Sequence, residues 1–177
     1  MTDADLATLG LVADLGPCSG YALVSAAKER GMVRWAGLSA SSVYGCTRRL
    51  DASGFVVAEV PAKNLGRGPA GRRYQITADG SKQLQTLAID AISDSEASPA
   101  RVRIGLAAAH HLERTRLRQA LSTRVAKLRD RLRVVKRTQR AQEIDHAPLG
   151  AQMLFTDTLA ALRDEAKRMR NLERQVS

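Results

Sequence analysis

Residues 39–77 constrain this 177-residue chain more than any other stretch. Ser39 or Ser41 is placed to start a helix that runs to about Ser53, with Gly54 just past its end. Residues 55–60 are rich in β-branched side chains and read as a strand. Residues 72–76 read as its partner, with Tyr74 and Ile76 on one face. The connection between them holds Gly66, Gly68, Pro69 and Gly71, the composition of an exposed loop. The helix carries Ser41, Ser42, Tyr44, Arg48 and Arg49, and the hairpin carries Lys63, Arg67, Arg72 and Arg73. Over residues 32–77 seven basic residues stand against two acidic ones, a net of +5.

The flanking sequence supplies more helices. Asp3 or Asp5 can cap a first helix with Leu6, Leu9 and Val12 or Ala13 on its apolar face, ended by Gly16-Pro17. Ser19 caps a second helix over residues 20–29, stopped by Gly31. Gly45, inside the third helix, costs about 1 kcal/mol relative to alanine. Three short helices followed by a basic hairpin are the layout of a winged helix-turn-helix, which sets one helix in a DNA groove. After the hairpin, Thr77 caps a helix whose Leu84, Leu87, Ala88, Ala91 and Ile92 recur at helical spacing.

The second half has a different rhythm. Residues 93–99 form a linker that ends in a helix start, Ser98 as the cap and Pro99 as the first helical residue. One helix is then predicted to run unbroken to about Ile144, roughly 60 Å at about 1.5 Å per residue. Leu121, Val125, Leu128, Leu132 and Val135 form a heptad seam along it. A turn at Pro148-Leu149-Gly150 leads to a last helix in which Phe155, Leu159, Leu162, Ala166 and Met169 repeat the spacing. Two such helices make an antiparallel coiled-coil hairpin with apolar surface left over, and a second copy of the chain is the simplest cover. Leu121, Val125, Leu128, Leu132, Leu159, Leu162 and Met169 are therefore expected to serve dimerisation. The expected fold class is mostly α with a small β-hairpin wing: a winged helix-turn-helix domain over residues 1–94 and a long helical dimerisation domain over residues 95–177.

Composition narrows the function. The net charge of +10 favours a polyanionic partner. It is unevenly spread, +1 over residues 1–94 and +9 over residues 95–177, so charge alone does not locate a DNA site. Aromatic residues make up only 3% of the chain, which argues against recognition of single strands by base stacking. Two cysteines, Cys18 and Cys46, are too few for a disulfide framework, and no apolar run is long enough to span a membrane. The opening Thr2-Asp3-Ala4-Asp5 lacks the basic start of a signal peptide, so a cytoplasmic protein is expected.

At this point the sequence resembles the PadR-like transcriptional regulators. Leu9-Gly10-Leu11-Val12 followed by Gly16-Pro17-Cys18-Ser19-Gly20-Tyr21-Ala22-Leu23 is similar to that family's opening motif. Ser41-Ser42-Val43-Tyr44 resembles the start of its recognition helix. Arg49-Leu50-Asp51-Ala52-Ser53-Gly54-Phe55-Val56 resembles the segment leading into the wing. Gly66-Arg67, Arg72-Arg73-Tyr74-Gln75-Ile76-Thr77 and Gly80 resemble the wing itself. Gly45 stands where the family pattern has proline, Thr47 where it has leucine, and Ala22 where it has an acidic residue. The resemblance covers residues 9–80 and implies an N-terminal winged helix-turn-helix, a C-terminal helical dimerisation domain and, in many members, repression relieved by a small molecule.

Double-stranded operator DNA and a second copy of the chain are thus the expected partners, with a small-molecule effector as a further one and no membrane. Ser41, Ser42, Tyr44, Arg48, Arg49, Lys63, Arg67, Arg72 and Arg73 are the candidate DNA contacts. Arg48 and Arg49 lie about 100° apart around a helix, so both are not expected to face one groove, and Arg49 has Asp51 or Asp14 as an alternative partner. Tyr21 and Leu23 are expected in the core and Trp35 as a packing anchor. An effector would be lined by Trp35, Leu106, His110, Met153 and Phe155, chosen for size and position. His110-His111 has no helical ligand partner beyond Glu113, so no metal site is expected, and no cofactor either. Cys46 reads as an idle thiol rather than a redox sensor. No phosphate-binding loop, nucleophile elbow or carboxylate pair supports an enzyme. The competing reading is a protein-interaction module that uses the basic long helices without sequence-specific DNA binding.

Overall fold

The computed structural model describes residues 1–59, 71–141 and 146–176. The chain divides into two compact units, Met1–Ala91 with Ala97–Leu112, and Ile92–Glu96 with Glu113–Ser177.

The first unit opens with helix α1 (Asp3–Leu15). Its cap is Thr2, not Asp3 or Asp5: Thr2 Oγ1 accepts from the Asp5 backbone N–H, and the Asp5 carboxylate accepts from the Thr2 N–H, a reciprocal capping box. Strand β1 (Cys18–Ser19) leads into α2 (Gly20–Glu29), where Ser19 accepts from the Ala22 N–H as its sequence position predicts. A four-residue helix α3 (Met32–Trp35) follows, flanked by Gly31 and Gly37 at φ 66° and 65°. Neither β1 nor α3 is foreseen in the sequence, because two and four residues are too short to show a period. Helix α4 (Ala40–Ala52) is capped by Ser39, whose hydroxyl accepts from the Ser42 N–H at 3.1 Å.

Strands β2 (Val56–Glu59) and β3 (Arg73–Ile76) pair antiparallel, Val56 opposite Ile76 and Glu59 opposite Arg73. β1 adds to the other edge of β3, giving the order β1-β3-β2. Thr77 then caps α5 (Ala78–Ser93), its hydroxyl accepting from the Gly80 N–H at 2.9 Å. Gly80 is obligatory here: a Cβ on it would sit 1.9 Å from the Phe55 carbonyl oxygen. Leu6, Leu9, Leu23, Val43, Val56 and Leu84 are buried together at the centre of this unit. Tyr21 departs from expectation. It is 76% exposed, while Leu23 is fully buried as expected. Position 21 falls in the first turn of α2, outside the buried set Gly20, Leu23, Val24, Ala26 and Ala27.

The predicted unbroken helix from Pro99 is interrupted. Helix α6 (Pro99–Ala107), capped by Ser98, is followed by a 3-10 turn (Ala109–His111) and an extended Leu112 before α7 (Arg114–Ala141) begins. Val102, Ile104 and Ala108 are buried in the first unit, so α6 belongs to that core. No glycine or proline marks the break. Asp14, far earlier in the chain, draws in both His110 and His111 and holds the turn.

In the second unit α7 packs against α8 (Leu149–Gln175). Leu149 and Gly150 lie within α8 rather than in a turn before it, and Pro148 holds its N-cap position. Leu121, Val125, Leu128, Leu159, Leu162, Ala166 and Met169 are buried, and Leu132 is half-buried. Arg124, 1% exposed, donates from Nε to Glu165 Oε1 at 3.0 Å and from Nη1 to the carbonyls of Ile92 and Asp94. Arg131 pairs with Glu96 at 2.9 Å. Two arginines thus fasten residues 92–96 to α7, an attachment that a linker composition does not reveal.

Candidate DNA-binding surface

The sequence of α4 decides which of its faces is free. Val43, Cys46, Thr47 and Leu50 recur at i, i+3, i+4 and i+7, and all four are buried. Ser41, Tyr44 and Arg48, at i, i+3 and i+7 on the other side, are exposed. Thr47 stands in the buried stripe because its hydroxyl donates to the Tyr44 carbonyl at 3.0 Å, so its polar atom is satisfied.

At the helix N-terminus three hydroxyls gather. Ser39 Oγ lies 2.9 Å from Ser41 Oγ and 2.8 Å from Ser42 Oγ. Backbone N–H groups without helical partners and the positive end of the helix dipole lie at the same place, an arrangement that suits a phosphate oxygen. Tyr44 is 45% exposed and its ring crosses Gly20, where a Cβ would approach Tyr44 Cε1 to 2.5 Å. Gly20 therefore sets the position of the tyrosine, and exposed Tyr21 is its neighbour in sequence. Sequence reasoning missed this relation because Gly20 reads simply as the first residue of a helix. Arg48 is exposed, and among the described residues it forms no ion pair.

Arg49 is used otherwise. Its Nε and Nη2 donate to Asp5 Oδ1 at 3.2 and 2.6 Å, and Nη2 also approaches Cys46 Sγ at 3.1 Å. The partner is thus neither Asp51 nor Asp14. Burial alone would raise the Asp5 carboxyl. The Thr2 backbone N–H, the Arg49 guanidinium and the Thr2 hydroxyl outweigh it and hold the group at about 2. Asp51 accepts from the Ala58 N–H at 3.2 Å and lies 4.0 Å from Arg72, and Asp14 is taken by Arg30, His110 and His111.

On the hairpin, Arg72 and Arg73 are both exposed. Arg73 donates to the Pro17 carbonyl at 3.0 Å, which ties its aliphatic stem along the edge where β1 joins the sheet. Lys63 and Arg67 lie outside the described residues.

Of the side chains considered for an effector, Trp35 and Leu106 line an open groove of about 560 Å³ with Arg103 and Ala107. Trp35 also borders a cavity of about 140 Å³ with Leu6, Met32 and Ile104, and its indole N–H donates to the Arg30 carbonyl at 3.0 Å. His110 is engaged with Asp14 at 2.8 Å. Met153 is exposed and Phe155 half-buried on α8, in the second unit.

The cysteines are both free and buried. Burial pushes the Cys18 thiol up, and burial with the adjacent Asp5 carboxylate does the same at Cys46, which disfavours the reactive thiolate. Among the described residues no helix is long and apolar enough to cross a membrane.

Residues 8–86 match the family model described as Transcriptional regulator PadR-like family. No curated protein matches the chain. Its structure is similar to that of Bacillus subtilis PadR in complex with operator DNA, at 17% identity over 98% of each chain with a TM-score of 0.44. It is also similar to Bacillus subtilis PadR in complex with p-coumaric acid, at 17% identity over 98% of this chain and 95% of that one, TM-score 0.41. The PadR-like transcriptional regulator BC1756 from Bacillus cereus is similar at 11% identity over 99% of this chain and 98% of that one, TM-score 0.41.

Proposed function

Residues 8–86 of this chain belong to the PadR-like family of transcriptional regulators, which are not enzymes, and from that premise we propose a sequence-specific, double-stranded-DNA-binding repressor that acts in the cytoplasm as a homodimer. The observation that carries this reading is the free face of α4. Ser41, Tyr44 and Arg48 line the side of the helix that the core does not use, and Arg48 keeps its charge available. The three hydroxyls at the helix start and Arg72 on the wing supply the phosphate contacts that fix register, and Arg48 with Tyr44 reads the base edges. Lys63 and Arg67, which lie outside the described residues, add two positive charges to the sequence between the two strands.

Self-association rests on the side chains that α7 and α8 leave uncovered. The heptad seam is consumed in closing the hairpin, whereas Val134, Leu149, Met153 and Leu154 are exposed. Leu149 and Met153 fall at i and i+4 on one helix face, which suits the same face of a second copy. An effector that relieves repression would use the Trp35 groove in the first unit, which combines an indole wall with the Arg103 cation and so favours a flat, anionic molecule.

Footprinting on the DNA upstream of the protein's own gene tests the proposal. Two protected half-sites about 10 bp apart, or a multiple of that, are expected of a dimer with one α4 per major groove. Protection that does not depend on sequence would contradict it.

A further inference from the structure

Asp14, close to the end of α1, receives two imidazoles from the 3-10 turn Ala109–His111. His110 Nε2 lies 2.8 Å and His111 Nε2 2.7 Å from Asp14 Oδ1, and the three ligand atoms lie within 4.8 Å of one another. The turn that carries the histidines also has hydrogen bonds of its own backbone, His111 N–H donating to the Ala108 carbonyl and Leu112 N–H to the Ala109 carbonyl. On the far side of the carboxylate, Arg30 Nη1 donates to Asp14 Oδ2 and so aims Oδ1 at the rings. Sequence spacing could not bring this group together, because the carboxylate stands 96 positions before the first histidine.

From this geometry we infer that Asp14, His110 and His111 form a binding site for a divalent transition-metal cation of the zinc type. Two imidazole nitrogens and one carboxylate oxygen are a donor set that such cations favour. With metal–ligand bonds of about 2.0–2.2 Å, neighbouring ligand atoms stand roughly 3.4 Å apart, so the present contacts of 2.8 and 2.7 Å must open by about 0.6–0.7 Å. His110 is 58% exposed on its side chain and can make that movement without disturbing the core, and its open side admits a water as fourth ligand. Arg30 orients the carboxylate through its second oxygen, while its charge opposes the cation, so the site binds more weakly than a closed structural zinc site. A bound cation would link residue 14 to residues 110 and 111, across most of the length of the first unit's sequence. Because the unfolded chain has no such site, occupancy stabilises the folded state. None of the α4 residues assigned to DNA takes part, so the site stands or falls independently of the proposed function.

The test is a titration of the full-length chain, stripped with EDTA, with Co²⁺ as a spectroscopic probe and Zn²⁺ as competitor. Saturation at one Co²⁺ per chain, visible ligand-field bands, displacement by Zn²⁺ and a rise in Tm with either metal are expected. Asp14→Asn and His110→Ala should each lower Co²⁺ affinity by about tenfold or more. His146→Ala, which removes the third and last histidine, should leave it unchanged. His110 is mostly exposed, so His110→Ala keeps the fold, verified by circular dichroism, and carries the test even if Asp14→Asn does not. Absence of saturable one-to-one binding in the wild type, or undiminished binding in His110→Ala, would overturn the inference.

Discussion

Arg49 Nη2 stands 2.6 Å from Asp5 Oδ1, joining α4 to the capping box at the start of α1. The arginine is more than half exposed and the aspartate almost wholly buried. The guanidinium thus neutralises a charge inside the fold, whereas its neighbour Arg48 is exposed and, among the described residues, forms no ion pair. This division of labour between two adjacent arginines underlies the predictions that follow.

Acid should weaken the first unit through Asp5. Its carboxyl sits at about 2 in the folded state against an ordinary 3.8, so the folded form favours the carboxylate. The resulting stabilisation is complete above about pH 4 and is lost as pH falls through about 2, and its size is about 2 kcal/mol. Asp5→Asn is expected to cost about that much at neutral pH and to flatten the acid limb of the stability profile. Urea melts of both proteins across this pH range check the sign, and identical acid limbs would contradict it.

Arg48→Ala and Arg49→Ala should fail in different assays. Arg48→Ala is expected to weaken operator binding by about 1–3 kcal/mol and leave Tm unchanged. Arg49→Ala leaves a buried carboxylate unpaired, so its Tm should fall, and any loss of DNA affinity should follow from the loosened α4. Anisotropy and thermal melts on both variants separate the roles.

Two glycines should respond differently to alanine. In Gly20→Ala the new methyl meets the Tyr44 ring, which can swing aside, so DNA binding should weaken with little change in stability. In Gly80→Ala the methyl meets the Phe55 carbonyl, part of the backbone, and stability should fall by about 2 kcal/mol. Equal thermal melts for the two variants would contradict the assignment.

Dimer and hairpin should also separate. Met153→Asp, on the exposed face of α8 shared with Leu149, is expected to yield folded monomers by light scattering. Leu128→Ala, fully buried between α7 and α8, should instead lower stability by about 2–5 kcal/mol.

Much of this was legible in the sequence, where local chemistry sets the outcome. Ser19, Ser39, Thr77 and Ser98 cap the helices their positions predict, and the hairpin strands fall within the residues read as strands. What escaped depends on distant partners. The break after Ala107 carries no breaker residue and is held by Asp14. Tyr21 has the composition of a core residue, but its place on α2 turns it outward. Asp5 reads as a helix cap from its position, yet its second oxygen-bound partner comes from α4. The heptad seams and the hairpin that α7 and α8 form were legible, because a short connection between two apolar stripes pairs them within one chain.

The most direct measurement of the central claim is fluorescence anisotropy of the protein on its own upstream DNA and on a scrambled duplex, at two salt concentrations, with Arg48→Ala alongside. A preference for the upstream fragment that survives the higher salt, and that Arg48→Ala reduces, is the predicted result. Equal affinity for both duplexes that vanishes with salt, unaffected by Arg48→Ala, would contradict it.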